Sequence, residues 1–165
     1  MTTSQSSGAR GTSAATDIAY IAVFAALIAV LGFVSIPVGV AGVPIVLQNA
    51  ATILAGLVLG GRRGFLATAL FLLVACFLPV LAGGSTLIHA LAGPTVGYLV
   101  GYLLGSGAAG LIAYRAPWKN KAATIAVFVL GGLAAIALQY GLGAIGLVFR
   151  ADMGLGAALA ANAAF

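Results

Sequence analysis

Acidic residues are nearly absent. Asp17 and Asp152 are the two in 165 residues, and they lie far apart in the chain. A pair of carboxylates for acid–base chemistry, or a carboxylate-rich metal site, therefore has no local basis here. The single Cys76 excludes an intrachain disulfide and a cysteine-held metal cluster, and it lies in an apolar run where a buried, inert thiol is expected. His89 is the lone histidine, so Ser85, four residues before it, lacks the acid that a hydrolytic triad requires. The region around Gly93 has no phosphate-loop lysine. These absences argue against an enzyme, and no cofactor or metal is expected.

Charge of either sign is scarce as well: 5% of residues are charged, against 63% hydrophobic and a mean hydropathy of +1.23. A soluble domain would carry roughly a quarter charged residues. The chain reads as an all-α integral membrane protein, since a span needs about 20 apolar residues to cross about 30 Å of hydrocarbon. Six of the seven basic residues, Arg10, Arg62, Arg63, Arg115, Lys119 and Lys121, fall in alternate inter-span segments; Arg150 falls opposite. The positive-inside rule puts the six, and the N-terminus, on the cytoplasmic side of the cell membrane. The pI near 9.9 reflects this orientation and contact with anionic lipid rather than nucleic acid, because no aromatic binding pattern surrounds the basic residues.

Residues 1–16, rich in Ser, Thr, Gly and Ala without hydrophobic periodicity, read as a disordered cytoplasmic tail, and 17–165 as a single transmembrane domain. The apolar run from Ile18 is too long for a cleaved signal and predicts a retained span, Asp17 to Ile36, capped by Thr16 or Asp17. Pro37 and the Gly39, Gly42, Pro44 series end it. A slightly short second span runs from Ile45 to Gly60, a turn over Gly60–Gly64 reverses the chain, and a third runs from Phe65 to Leu81. The Gly83–Gly93 segment is a loop whose backbone must find partners in protein or water if it enters the membrane. Pro94 opens a fourth span, Thr95 to Tyr114, and a fifth extends from Ala122 to Phe149. Arg150 to Asp152 form a short loop, and a sixth helix starts near Gly154 and is cut short at Phe165.

Small residues recur every four positions at Gly97, Gly101 and Gly105, and at Ala22/Ala26 and Ala25/Ala29. Such smooth faces serve internal helix packing or a second membrane subunit. Gln48, Asn49, Thr52, Thr86, His89, Thr95, Tyr98, Gln139 and Tyr140 are polar groups in or beside spans. They must turn inward, either to bond between helices or to line a pocket for an organic solute.

The runs Val43-Pro44-Ile45-Val46-Leu47-Gln48, Ala55 to Gly64, Leu81-Ala82-Gly83-Gly84 and Gly93-Pro94-Thr95-Val96-Gly97-Tyr98 through Tyr102 occur in order. In this combination the sequence resembles the BioY family, the biotin-binding S components of energy-coupling factor transporters. The resemblance implies a six-helix S-component bundle that captures biotin from outside. It also implies assembly with a transmembrane coupling subunit and two cytoplasmic ATPases. Ala22, Ala25, Ala26 and Ala29 match the alanine pattern by which S components dock. The Ser35–Pro44 loop would form a lid, with Val43, Pro44, Gln48, Gly83, Gly84, His89, Thr95 and Tyr98 around the solute. The helix start at Thr95 or the Arg150 guanidinium would receive its carboxylate.

Two departures stand out. Asn49 replaces the family's usual threonine, and the chain stops at Ala163-Ala164-Phe165, before the family's Pro-Gly-Asp segment and its following lysine. The alternatives are an S component for another vitamin and an assembly subunit that binds no solute.

Overall fold

The computed structural model describes residues 14–36, 45–150, 154 and 156–158. Its elements are α1 (Ala14–Leu31), β1 (Ser35–Ile36), β2 (Ile45–Val46), α2 (Leu47–Leu59), α3 (Gly61–Ala75), a 3₁₀ turn (Ala82–Gly84), α4 (Leu87–Ala92), α5 (Val96–Ala113) and α6 (Lys121–Arg150). The expected helical membrane bundle is observed, with one two-residue hairpin added. Among the described residues, three helices, α1, α5 and α6, are long and apolar enough to cross a membrane. Large apolar side chains such as Ile18, Val23, Leu73, Phe77, Leu111 and Phe149 point outward, a surface suited to lipid rather than water. This is a multi-pass membrane protein.

Several boundaries differ from expectation for identifiable reasons. The first helix begins at Ala14, so Asp17 is not its cap but sits in its first turn, where the positive helix end favours a carboxylate. There it pairs with Arg63 of α3, Nη2 to Oδ1 2.7 Å. The same helix stops at Leu31 rather than Ile36: the last amides tighten onto Val30 and Leu31, and Ser35 and Ile36 pair antiparallel with Val46 and Ile45. The Gly60–Gly64 turn shrinks to a single residue, Gly60 at φ +87°, so Arg62 and Arg63 lie in the first turn of α3. That helix ends at Ala75 instead of Leu81, since Pro79 in a continuing helix would clash with the carbonyl of residue 75. The Gly83–Gly93 loop contains α4, capped by Thr86, whose hydroxyl accepts from the His89 amide. Pro94 lies just outside α5, with Thr95 as the flanking residue. Asn120 caps α6 by accepting from the Ala123 amide at 3.2 Å. Of the sixth helix, residues 156–158 are described and helical, and the Ala158 amide donates to the Gly154 carbonyl. The tail at 1–13, residues 37–44 and Asp152 lie outside the described residues.

The centre of the bundle is α5. Its most apolar stretch is 56% buried, against 11% for α1. Glycines bring its backbone against three neighbours: a Cβ at Gly97 would stand 2.0 Å from the Leu142 carbonyl oxygen of α6, one at Gly56 of α2 would stand 2.1 Å from that of Ser106, and one at Gly110 would stand 2.2 Å from the Gly61 nitrogen of α3. Phe71, Ile28 and Leu147 fill the remaining core.

Gly97→Ala is expected to destabilise the detergent-solubilised protein by about 1–3 kcal/mol through overpacking, whereas Gly132→Ala, with open space around its Cβ position, should be neutral or slightly stabilising. Thermal unfolding of the two variants side by side checks this. The half-exposed Asp17–Arg63 pair should contribute under about 1 kcal/mol; a double-mutant cycle with Asp17→Asn and Arg63→Gln measures it, and the coupling should shrink in high salt.

Candidate functional site

Two structures share one end of the bundle: a buried polar layer among the helices, and the turns that lead the chain over it. The layer begins with Gln48, fully buried in the first turn of α2. Its Nε2 donates to the Ile28 carbonyl of α1 at 3.1 Å and to the Val80 carbonyl at 3.0 Å. Both amide hydrogens are thereby committed to carbonyl acceptors, which fixes the amide's orientation. Next to it, Asn49 Oδ1 accepts from the Tyr102 hydroxyl of α5. One turn further along α2, Thr52 donates to the Asn49 carbonyl at 2.8 Å and accepts from Gln139 Nε2 of α6 at 2.9 Å. Four helices, α1, α2, α5 and α6, are thus joined by side chains that lipid could not satisfy. The Oε1 atoms of Gln48 and Gln139 are buried and have no partner among the described residues.

Above the layer, the backbone folds into tight turns. Leu81 and Ser85 bridge through the Leu81 amide and the Ser85 carbonyl at 3.1 Å, enclosing Gly83 and Gly84, both at φ +71°. Neither glycine has anything near its Cβ position, so their backbone faces open space. Only glycine adopts two successive left-handed conformations at little cost, and the absence of side chains lets a solute approach the peptide groups directly.

The sequence-predicted site residues separate into three sets. Gln48 lies in the polar layer, with its donors already bonded. Tyr98 is buried, its ring lying against Gly143 and edge-on to Tyr140 with centroids 6.3 Å apart. Gly83, Gly84 and His89 are exposed, Thr95 is half-buried at the start of α5, and Arg150 is exposed at the end of α6. Val43, Pro44 and most of the expected Ser35–Pro44 lid lie outside the described residues. Asn49, Thr52 and Gln139 take the interhelical bonding role. Tyr102 belongs to this layer and was not singled out by sequence reasoning, whereas the buried Ser106 donates to the Leu103 carbonyl of its own helix at 3.0 Å. Both continue Tyr98 at four-residue spacing, one position along from Gly97, Gly101 and Gly105, and that parallel stripe is the signal that could have exposed Tyr102.

The two small-residue faces also divide. Gly97, Gly101 and Gly105 are internal, seating α5 on α6. On α1, Ala25 is 5% exposed and packs inward with the half-buried Ala29, while Ala22 and Ala26 are exposed on the outer surface.

Comparison with known proteins accords with this architecture. A model of the BioY family matches residues 2–165. The biotin transporter BioY of Rhodobacter capsulatus is 43% identical over 141 residues, covering 84% of this chain and 73% of that protein. The biotin transporter BioY of Rhizobium etli is 35% identical over 154 residues, covering 90% and 82%. A crystal structure of the S-component for biotin from an ECF-type ABC transporter superposes with a TM-score of 0.79 at 30% identity, over 92% of this chain and 81% of that one. With the family model spanning nearly all of its residues and relatives of this identity aligned along most of its length, this chain belongs to the BioY family.

Proposed function

We propose that the chain is the solute-capturing membrane subunit of an energy-coupling factor transporter, and that it takes up biotin. The observation that carries this reading is the superposition on the S-component for biotin, over most of both chains and at an identity that goes beyond a shared fold. The described residues fit the task. An end of the bundle with exposed peptide groups at Gly83 and Gly84 suits a ureido ring, which offers both N–H and C=O. The buried Tyr98, edge-on to Tyr140, provides an aromatic wall for the bicyclic body. Thr95 at the start of α5, or Arg150 at the end of α6, receives the carboxylate, and His89 on α4 stands at the rim. Val43 and Pro44 complete the set from the family motif.

In this reading the N-terminus, Arg62, Arg63 and the Arg115–Lys121 segment face the cytoplasm, and residues 17–165 act as one binding domain. Ala22 and Ala26, bare on the outside of α1 and flanked by Ala29, form the docking stripe for the transmembrane coupling subunit. Ala25 supports the stripe from within. Two cytoplasmic ATPases supply the energy, and this chain performs no chemistry of its own.

Calorimetric titration of biotin into the detergent-purified chain tests the capture role. Saturable binding is expected, and silence from the demonstrably folded protein would remove biotin as the solute. A ligand at 100 times its dissociation constant should also add about 2.7 kcal/mol of stability. Ala22→Trp should prevent co-purification of the coupling subunit while leaving biotin affinity within about twofold; loss of biotin binding with assembly intact would contradict the assignment of that face.

A further inference from the structure

The Gln48 side chain joins three segments that are distant in sequence. Its amide donates to Ile28, 20 residues earlier, and to Val80, 32 residues later. The fit is close, because a Cβ at Gly32 would stand 2.3 Å from Nε2 and 2.7 Å from the Val80 carbonyl oxygen. Each bonded segment continues directly into a turn at the same end of the molecule. On one side, the Leu47 amide donates to the Val34 carbonyl at 3.3 Å, beside the antiparallel pairing of Ser35 with Val46. On the other, Val80 precedes the Leu81–Ser85 bridge that closes around Gly83 and Gly84. The strand pair and the glycine turn have no covalent link closer than α2 and α3. Through this one amide they share a buried anchor.

We infer that Gln48 is a positioning residue that makes the β1–β2 pair, the Leu81–Ser85 turn and the last turn of α1 open and close as one unit, and so transmits the arrangement of the solute-facing turn to the helix that bears Ala22 and Ala26. The inference rests on the solute-capture reading for its purpose, but not for its geometry. Two carbonyls held by one NH₂ group cannot separate without leaving a buried donor unbonded, which opposes independent movement of either segment. Coupling of this kind is reciprocal: whatever orders the glycine turn also favours the arrangement of α1 that the anchor allows.

Amide hydrogen exchange on the full chain in lipid nanodiscs tests the inference without any ligand. The amides of Leu47 and Leu81 should exchange through a common opening, with protection factors within about fivefold of each other; a larger gap overturns the inference. Gln48→Met, similar in length but with no donor, should lower both protection factors by about tenfold or more and weaken biotin binding. Gly32→Ala, which crowds the amide while leaving Gln48 in place, should act in the same direction on both. Protection at either amide that stays at its wild-type level in folded Gln48→Met overturns the coupling. So does a biotin defect in Gln48→Met with exchange and affinity intact in Gly32→Ala, since Gln48 would then act by direct solute contact. Correlated opening with no response to biotin would instead count against the choice of solute.

Discussion

Backbone-to-backbone contact between helices is the constraint from which the rest of this bundle follows. Where α5 meets α6 at Gly97, α2 at Gly56 and α3 at Gly61, the missing Cβ atoms bring main chains within van der Waals reach. Lipid tails are as apolar as leucine, so burial of hydrocarbon offers little net drive for one helix to leave lipid for another; close packing and hydrogen bonds must supply it. The glycine stripes maximise the first. They also determine where the second can occur, because helices this close can bring short side chains into bonding range. Thr52 reaches Gln139, and Asn49 reaches Tyr102, only because α2, α5 and α6 approach so closely.

The polar layer in turn explains why the ends of the bundle are shaped as they are. A glutamine placed in the first turn of α2 must bond both its hydrogens, and α1 and the connection after α3 deliver carbonyls to it. Gly32 leaves the necessary space. The ends of the helices agree with this: α1 stops three residues beyond Ile28, at Leu31 just before Gly32, and α3 stops ahead of a proline that frees the chain to bring Val80 inward. Open peptide groups at Gly83 and Gly84 are then held three and four residues beyond the Val80 anchor. A turn of exposed backbone needs such support, since it has no side chains of its own to pack.

Much of this was legible in the sequence. The membrane class followed from the scarcity of charge, and the approximate positions of α1, α2, α3, α5 and α6 followed from apolar run length, because both depend on composition over many residues; the short α4, in the segment read as a loop, did not. The resemblance to the BioY family rested on motifs quoted in order, and whole-chain similarity agrees with it. Boundaries were less legible where a tertiary contact decided them. Asp17 looked like a cap but is drawn into an ion pair with Arg63, and the run through Ile36 looked helical until pairing with Ile45 claimed it. The role of Gln48 was hidden for a different reason: its partners are carbonyl groups, which every residue carries and no sequence distinguishes. Tyr102 shares that concealment only in part, since its spacing from Tyr98 marks the same face of α5.

The unequal burial of the helices gives the bundle a mechanical division. Around α5 the contacts are glycine-tight and hydrogen-bonded, a rigid half formed with α2, α3 and α6. The α1 helix lies outside it, with Ala25 and Ile28 as its buried side chains, and is held near its two ends by different forces. At the end with Arg63 the tie is an ion pair about one-third exposed, which salt and water weaken. At the other end it is a buried amide in a low-dielectric setting, where a broken bond leaves a polar group stranded. A helix tied firmly at one end and loosely at the other is freer to move at the loose end. The exposed Ala22 and Ala26 lie between the two ties, so under the proposed coupling a change at the Gln48 anchor would reach their smooth face. In the proposed reading, such an arrangement would let a membrane subunit with almost no charge convert the state of the turns beside Gln48 into the shape of a docking surface.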